Sequence, residues 1–431
     1  VKEMIASQFE KQILGSEPWL KSLQKEAMSR FSSLGFPTLK QEEWKYTNVE
    51  PIQKLPFQFL DLNESSFPSI EQNHEQLSAR LVFLNGHYVE KLSWTKGLVP
   101  GVLAGSLRHF LKEKREIVEA HLSRYASFQN HSFVALNTAF IQDGAFIYLP
   151  HGMILDKPIE ILFISEGKAS FVSQPRNLIV AEALSQASII EQYQGRASSP
   201  YFTNSVTEIF AADSAIIEHS KIQEESEKAY HIFSLGVQQE RQSKVTSHSI
   251  SLGAALSRHD LTSLLHAEGG ECVMNGLYLT RGQQHVDHHT TIDHAKAHCV
   301  SQELYKGILS GHSKGVFNGR VIVRPHAKKT NSSQANKNLL LSEGAEIDTQ
   351  PLLEIFNNDV KCSHGATTGR LDPKQIFYLK SRGINDAFAK SLLSYAFASE
   401  ILEKLKFNFL KTKLQTVLFD RLMENIREEL Q

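Results

Sequence analysis

Residues 184–191 read LSQASIIE and residues 211–218 read AADSAIIE. In each, a small polar corner leads into Ile-Ile-Glu, the first copy opening at Leu184 and the second at Ala211. A return at that interval is what successive coils of a β-solenoid leave behind, because each coil can bury its apolar face only against its neighbours. The surrounding texture agrees. From about residue 133 short apolar runs recur (GAFIYLP, PIEILFIS, NLIVAEAL, SVTEIFAA, NLLLSEGAEI), separated by Gly, Asn, Asp and Ser. Such runs between turn residues predict short strands. A sandwich or barrel of short strands would produce the same pattern, so the residues alone leave both architectures open.

The flanks read differently. PWLKSLQKEAMSRFSSLGFP predicts an amphipathic helix with Pro18 in its first turn, ended by Gly35 and Pro37. RLVFLNGHYVEKLS places two alternating runs around Asn85-Gly86, a hairpin signal. SLRHFLKEKREIVEAHLSRYA returns to helical spacing. After Asp372-Pro373, a cap followed by a first-turn proline, NDAFAKSLLSYAFASEILEKL brings Ala389, Leu392, Leu393, Ala396, Phe397 and Leu402 near one face. LQTVLFDRLMENIREEL repeats the pattern with Leu414, Val417, Leu418 and Leu422. The expected division is a mixed helical region over 1–132, a β core over 133–371 and a helical domain over 372–431. The last apolar stripe either covers the core or docks a partner, with Leu392, Leu393, Phe397 and Leu402 as its contact residues.

Composition prunes the function classes. The 431 residues carry 46 basic and 47 acidic side chains, so no basic field for nucleic acid is present. Three cysteines, Cys272, Cys299 and Cys362, are too few and too far apart for a disulfide framework and fit a reducing compartment. Apolar runs such as IEILFIS fall far short of the roughly 20 residues that cross a bilayer. The opening VKEMIASQFEKQ lacks an apolar signal core, so the expected location is cytoplasmic. The phosphate-binding loop G-x-x-x-x-G-K-[ST], H-E-x-x-H and C-x-x-C patterns do not occur, which argues against an intrinsic ATPase, a zinc protease and a thioredoxin-like enzyme.

Two stretches could bind metal. GQQHVDHHTTIDHAKAHC holds His285, Asp287, His288, His289, Asp293, His294, His298 and Cys299. On a strand His285, Asp287 and His289 share a face, yet the outer two stand about 13 Å apart while metal–nitrogen bonds are about 2.1 Å. One straight strand chelates poorly, and stacked polar side chains along a β surface explain the run better. The second stretch is NNDVKCSHGATTG (357–369). If it is extended, Cys362 and His364 project from one face just before Gly365. Both are competent iron ligands, but a cluster normally takes four, so a second chain would have to supply the rest. A buried cysteine beside a turn is the alternative.

HVDHHTTIDHAKAHCVSQELYKGILSGHSKGVFNGRVIV, KKTNSSQANKNLLLSEGAEIDTQPLLEIFNNDVKCSHGATTGRLDPKQIFYLKSRGI and KQEEWKYTNVEPI together resemble the SufD family of the SUF iron–sulfur cluster assembly machinery, in the right order from about residue 37 to 405. One departure is Lys328, where the family pattern has glutamine. The resemblance implies a right-handed parallel β-helix, mainly β, flanked by an N-terminal helical region and a C-terminal helical domain. It also implies a non-catalytic scaffold subunit, implicated in iron entry, that pairs with its paralogue SufB through the β-helices and binds the ATPase SufC through the C-terminal helices. His364 then matches the histidine facing a SufB cysteine where a cluster is built, and Cys362 matches its neighbour. No cofactor is expected to stay on this chain alone, the cluster or iron being transient, and the isolated chain is expected to pair with its own copy. The alternative from the residues is a self-contained metal enzyme built on 285–299.

Overall fold

The computed structural model describes residues 2–60, 68–70 and 74–429; Val1, 61–67, 71–73 and 430–431, which the expected segments include, lie outside the described residues. Two parallel sheets face each other. One runs from Ala79–Leu84 through Ile159–Ser165, Gln186–Gly195, Ile216–Glu224, Lys244–Ser251, Glu271–Thr280, Val300–Leu309 and Asn331–Leu340 to Lys361–Gly369. The other runs from Ala145–Leu149 through Arg176–Ala181, Tyr201–Ala211, Ala229–Gln239, Leu256–Leu265, His285–His294 and Lys314–Val323 to Glu346–Ile355. From residue 201 onward, strands consecutive in sequence alternate between sheets, so the chain winds as a β-solenoid rather than folding as a sandwich of hairpins or a barrel.

Register shows the coil. Ala187, Ile217, Val245, Cys272, Ser301, Ser332 and Cys362 are successive partners in one row. The steps along this row are uneven, shortest from Val245 to Cys272 and longest from Ser301 to Ser332. The echo of Ile-Ile-Glu is therefore right about the architecture and wrong about the register. His219, not Ile216, lies beside Ile189. A slip by an odd number faces Ile189 and Glu191 inward but Ile216 and Glu218 outward, as the two-residue period of a strand requires. Corners are short turns in which Leu184, Ser214, Gln242 and His298 take positive φ.

The first coil is closed. Asn85 and Gly86, with φ of 52° and 89°, form the two-residue turn that folds His87–Tyr88 back antiparallel onto Ala79–Leu84. Leu103–Ser106 closes the other sheet antiparallel to Ala145–Leu149. The strand Ala79–Leu84 pairs in parallel with Ile159–Ser165, so the solenoid draws its first strand from well before residue 133. Helix Pro18–Leu34 packs with Ser132–Ala139 over the outer face of the second sheet, through Ala27, Phe31, Phe133, Phe140, Phe202 and Ile232. Arg176 pins this junction. It is fully buried, pairs with Glu208 at 2.7 Å, and also donates to Asn137 Oδ1, Thr138 Oγ1 and Ser123 Oγ. The 106–126 stretch is two helices, Leu107–Glu113 and Arg115–His121, broken at Lys114.

The C-terminal helices lie along the outer face of the first sheet. Ala398, Ile401, Leu402, Leu405, Leu410, Leu414, Leu418 and Leu422 pack on Ile190, Ile222, Ile250, Leu277, Ile308 and Leu339. Each of those six sheet residues comes from a different strand, so the helices brace the coils together.

Candidate functional site

The strands Lys361–Gly369 and Glu346–Ile355 are the last of their sheets, and each has a hydrogen-bonded neighbour on one side only. No helix closes this end among the described residues. The inner row of the last coil is consequently laid open. On one side it presents Cys362, His364, Ala366 and Thr368; on the other Ile347, Thr349, Pro351, Leu353 and Ile355. The result is an open mouth with one apolar wall and one wall bearing ligand-type side chains. Phe356, 62% exposed, stands at its edge.

Cys362 and His364 sit on the same wall, as their i, i+2 spacing requires. Cys362 is half-buried against Val321, Val323, Ala327, Leu353 and Val360, and burial pushes its thiol pKa up. His364 is exposed at the rim. Each tops a polar row that runs into the solenoid. Below Cys362 come Ser332 and Ser301, whose hydroxyls bond at 2.8 Å, with His294 Nε2 2.9 Å from Ser301. Below His364 come Gln334 and Glu303, bonded at 2.7 Å; burial pushes Glu303 up to about 7.

The side chains of the histidine-rich segment, His285 to Cys299, do not converge. His288 and His294 point inward, His288 stacking on His259 with ring centroids 4.5 Å apart. His285, Asp287 and His289 point outward, where the segment around Trp44 covers them. Thr47 Oγ1 donates to Asp287 at 2.5 Å and lies 2.9 Å from His285 Nε2. Arg258 lies between, its guanidinium 3.8 Å from the Trp44 ring centroid and 2.8 Å from Asp287. Burial would raise Asp287, but His289 and Arg258 hold its carboxyl well below the usual carboxylate range. Asp293 pairs with Arg324 at 2.6 Å, His298 is exposed at a turn, and Cys299 is buried with its Sγ 3.3 Å from the Ala267 carbonyl. Among the described residues no group of three or more His, Cys, Asp or Glu is arranged to hold a metal ion. QEEWKYT is thus a strap, and the histidine run is its landing surface.

The profile described as "SUF system FeS cluster assembly, SufBD core domain" matches residues 163–397, and "SufBD protein N-terminal region" matches residues 6–161. The chain belongs to the SufBD family. It is 33% identical over 398 residues to the iron–sulfur cluster assembly protein SufD of Escherichia coli, covering 90% of each chain. It is also 33% identical over 403 residues to an iron–sulfur cluster assembly SufBD family protein of Synechocystis, covering 90% of this chain and 88% of that one. SufD of Bacillus subtilis is 25% identical over 414 residues, covering 93% of each. Membership places the chain in SUF iron–sulfur cluster assembly. No helix among the described residues is long and apolar enough to cross a membrane.

Within this SufBD fold the expected docking residues divide. Leu402 is buried against the solenoid, and Phe397 is half-buried in the same seam, with Lys306 Nζ 4.3 Å from its ring centroid and bonded to its carbonyl. Leu392 and Leu393 keep partial exposure. The helix Pro373–Ser381 has no buried residue and displays Phe377 and Tyr378. Sequence reasoning did not single these two out, although an aromatic pair just after the Asp372-Pro373 cap was available as a signal.

It also missed the charged interior. Glu191, His219, Lys221, Glu225, His231 and His259 are all buried inside the middle coils. Burial would raise Glu191, but His219 at 2.7 Å and Tyr193 hold it below its ordinary value. Lys221, pushed down to about 7 by burial, lies 2.9 Å from His259 Nδ1.

Proposed function

We propose that this chain is the SufD-type, non-catalytic subunit of a three-component scaffold that assembles iron–sulfur clusters. Its open last coil pairs with the corresponding coil of a SufB-type paralogue. The observation that carries this reading is the uncapped mouth. Two unpaired strand edges and a half-exposed apolar inner row are stable in water only at a cost, and a like coil from a second solenoid satisfies both. The same surface pairs two copies when the paralogue is absent.

At that junction His364 and Cys362 supply half of a ligand set, and the paralogue supplies the rest. Iron and the nascent cluster are cargo, held transiently, and iron entry is assigned to this side of the junction. The two residues are unequal. A neutral imidazole can take iron or pass a proton without prior deprotonation. The thiol of Cys362, raised by its apolar neighbours, becomes a good ligand only once metal favours the thiolate. His364 is therefore the principal residue and Cys362 the auxiliary one.

The C-terminal helices dock the ATPase SufC, which brings the nucleotide chemistry. Their contact surface is centred on Phe377, Tyr378, Leu392 and Leu393, because Phe397 and Leu402 are engaged with the solenoid. The site of action is the cytoplasm. Co-expression with SufB and SufC, followed by measurement of complex formation and cluster content, tests the whole reading. A chain that joins neither partner, or a complex whose cluster content ignores His364, overturns it.

A further inference from the structure

Gln334 lies one strand beneath His364. The two are register partners on adjacent strands and both belong to the inner row, Gln334 as a buried side chain and His364 at the uncovered rim. The amide is fixed from below: Gln334 Nε2 donates to Glu303 Oε2 at 2.7 Å. That leaves Oε1, on the other arm of the amide, buried and without a hydrogen-bond partner among the described residues. Buried carbonyl oxygens are seldom left in that condition. Nor is the amide there by default. A Cβ at Gly319, on the facing sheet, would come within 2.2 Å of Gln334 Nε2 and 2.8 Å of its Cδ, so a residue without a side chain makes the room. The row neighbours of Gln334 are Glu303 and His364. Glu303 already engages the nitrogen arm. His364, about 4.8 Å away by strand spacing, carries a ring N–H and makes no hydrogen bond among the described residues.

We infer that Gln334 is a positioning residue for the assembly site: when a partner closes the mouth, its Oε1 accepts the ring N–H of His364. One tautomer and one ring orientation are thereby selected, and the opposite ring nitrogen is presented outward to iron. Histidine ligands are commonly held by such a bond to their second nitrogen, and loss of the supporting acceptor weakens metal binding or activity about 10- to 100-fold. The inference rests on His364 being the working residue of the mouth.

Three chains decide it, each co-expressed with its partners: Gln334→Met, which keeps the volume and removes the acceptor; the exchange Glu303→Gln with Gln334→Glu; and His364→Ala. Long-range ¹H–¹⁵N spectra of the His364 ring are recorded in the assembled complex alongside cluster content. Gln334→Met should leave folding and complex formation intact, lower cluster content about tenfold, and convert one His364 tautomer into a mixture. The exchange keeps a donor–acceptor pair within the row and retains a free oxygen, so it should restore both readouts. Wild-type cluster content and an unchanged tautomer in Gln334→Met, with His364→Ala defective, overturn the inference alone. So does a loss of clusters in Gln334→Met with His364 still in one tautomer, because that is a packing defect. If His364→Ala assembles clusters normally, the reading of the mouth falls and this inference falls with it.

Discussion

The two ends of the solenoid are built on opposite plans. At the first coil both sheets finish in antiparallel strands, and helices seal the outer face around the buried Arg176–Glu208 pair. At the last coil the sheets simply stop, and the row that is core everywhere else becomes surface. A parallel solenoid has an unpaired edge at each end, so it needs a cap, a partner or charged blunting. This chain spends its N-terminal region on one end and leaves the other open. Stability and function should therefore separate along the axis.

The largest effects test that separation directly. Arg176→Ala leaves the buried Glu208 carboxylate to the backbone N–H groups of Ser123, Tyr125 and Ala126 and loosens the junction with Ser132–Ala139. Breaking a buried pair of this kind costs about 3–5 kcal/mol, so the melting temperature should drop clearly and soluble yield with it. His364→Ala should do the reverse. An exposed rim residue changes stability by about 0.5 kcal/mol or less, while maturation of iron–sulfur enzymes in cells should fall at least tenfold and the three-subunit complex persist. Cys362→Ala should show a milder defect. Equal melting losses in Arg176→Ala and His364→Ala would erase the contrast between the ends.

Much of this was legible because strand geometry is local. The i, i+2 rule set Cys362 beside His364 and separated His285, Asp287 and His289 from His288 before any contact was known. What the residues could not reveal depends on pairing between coils. Coil length varies from one turn of the solenoid to the next and leaves no fixed period, which is why the Ile-Ile-Glu echo matched the fold and missed the register. Lys221, His231 and His259 each look like ordinary solvated residues in their own strands. They are buried because the coils stack their inner faces on one another, which brings Lys221 to His259 and His231 to Glu225. The strap over Asp287 is a contact across 240 positions of sequence.

The C-terminal helices allow a second comparison, between a face turned inward and one turned outward. Leu402→Ala removes a side chain buried against the sheet and should cost about 2–5 kcal/mol, with any loss of SufC binding following from unfolding. Phe377→Ser with Tyr378→Ser alters side chains that touch solvent. It should leave the melting temperature nearly unchanged and weaken SufC about tenfold or more, measured by titration calorimetry on purified subunits. Deletion of 384–431 strips the seam that braces six strands, so SufB pairing should fail together with SufC binding. A deletion chain that still pairs with SufB would show that the solenoid holds without its brace.

A pH-dependent effect lies just under the open mouth. Glu303 is buried two rungs below His364, and burial raises its pKa from an ordinary 4.5 to about 7. An acid whose pKa is higher in the folded chain binds its proton more tightly there. Below about pH 4.5 both states hold the proton and this group contributes nothing to the pH dependence. Between about 4.5 and 7 the unfolded chain releases its proton first, so stability falls as pH rises. Above 7 the full penalty applies, on the order of 3 kcal/mol. Glu303→Gln keeps an acceptor for Gln334 and carries no such charge. Its melting temperature relative to wild type should therefore climb between pH 5 and pH 8, by a few degrees. A difference that stays flat over that range would place Glu303 in contact with water through the mouth, and the end of the solenoid would then be wetter than its packing implies.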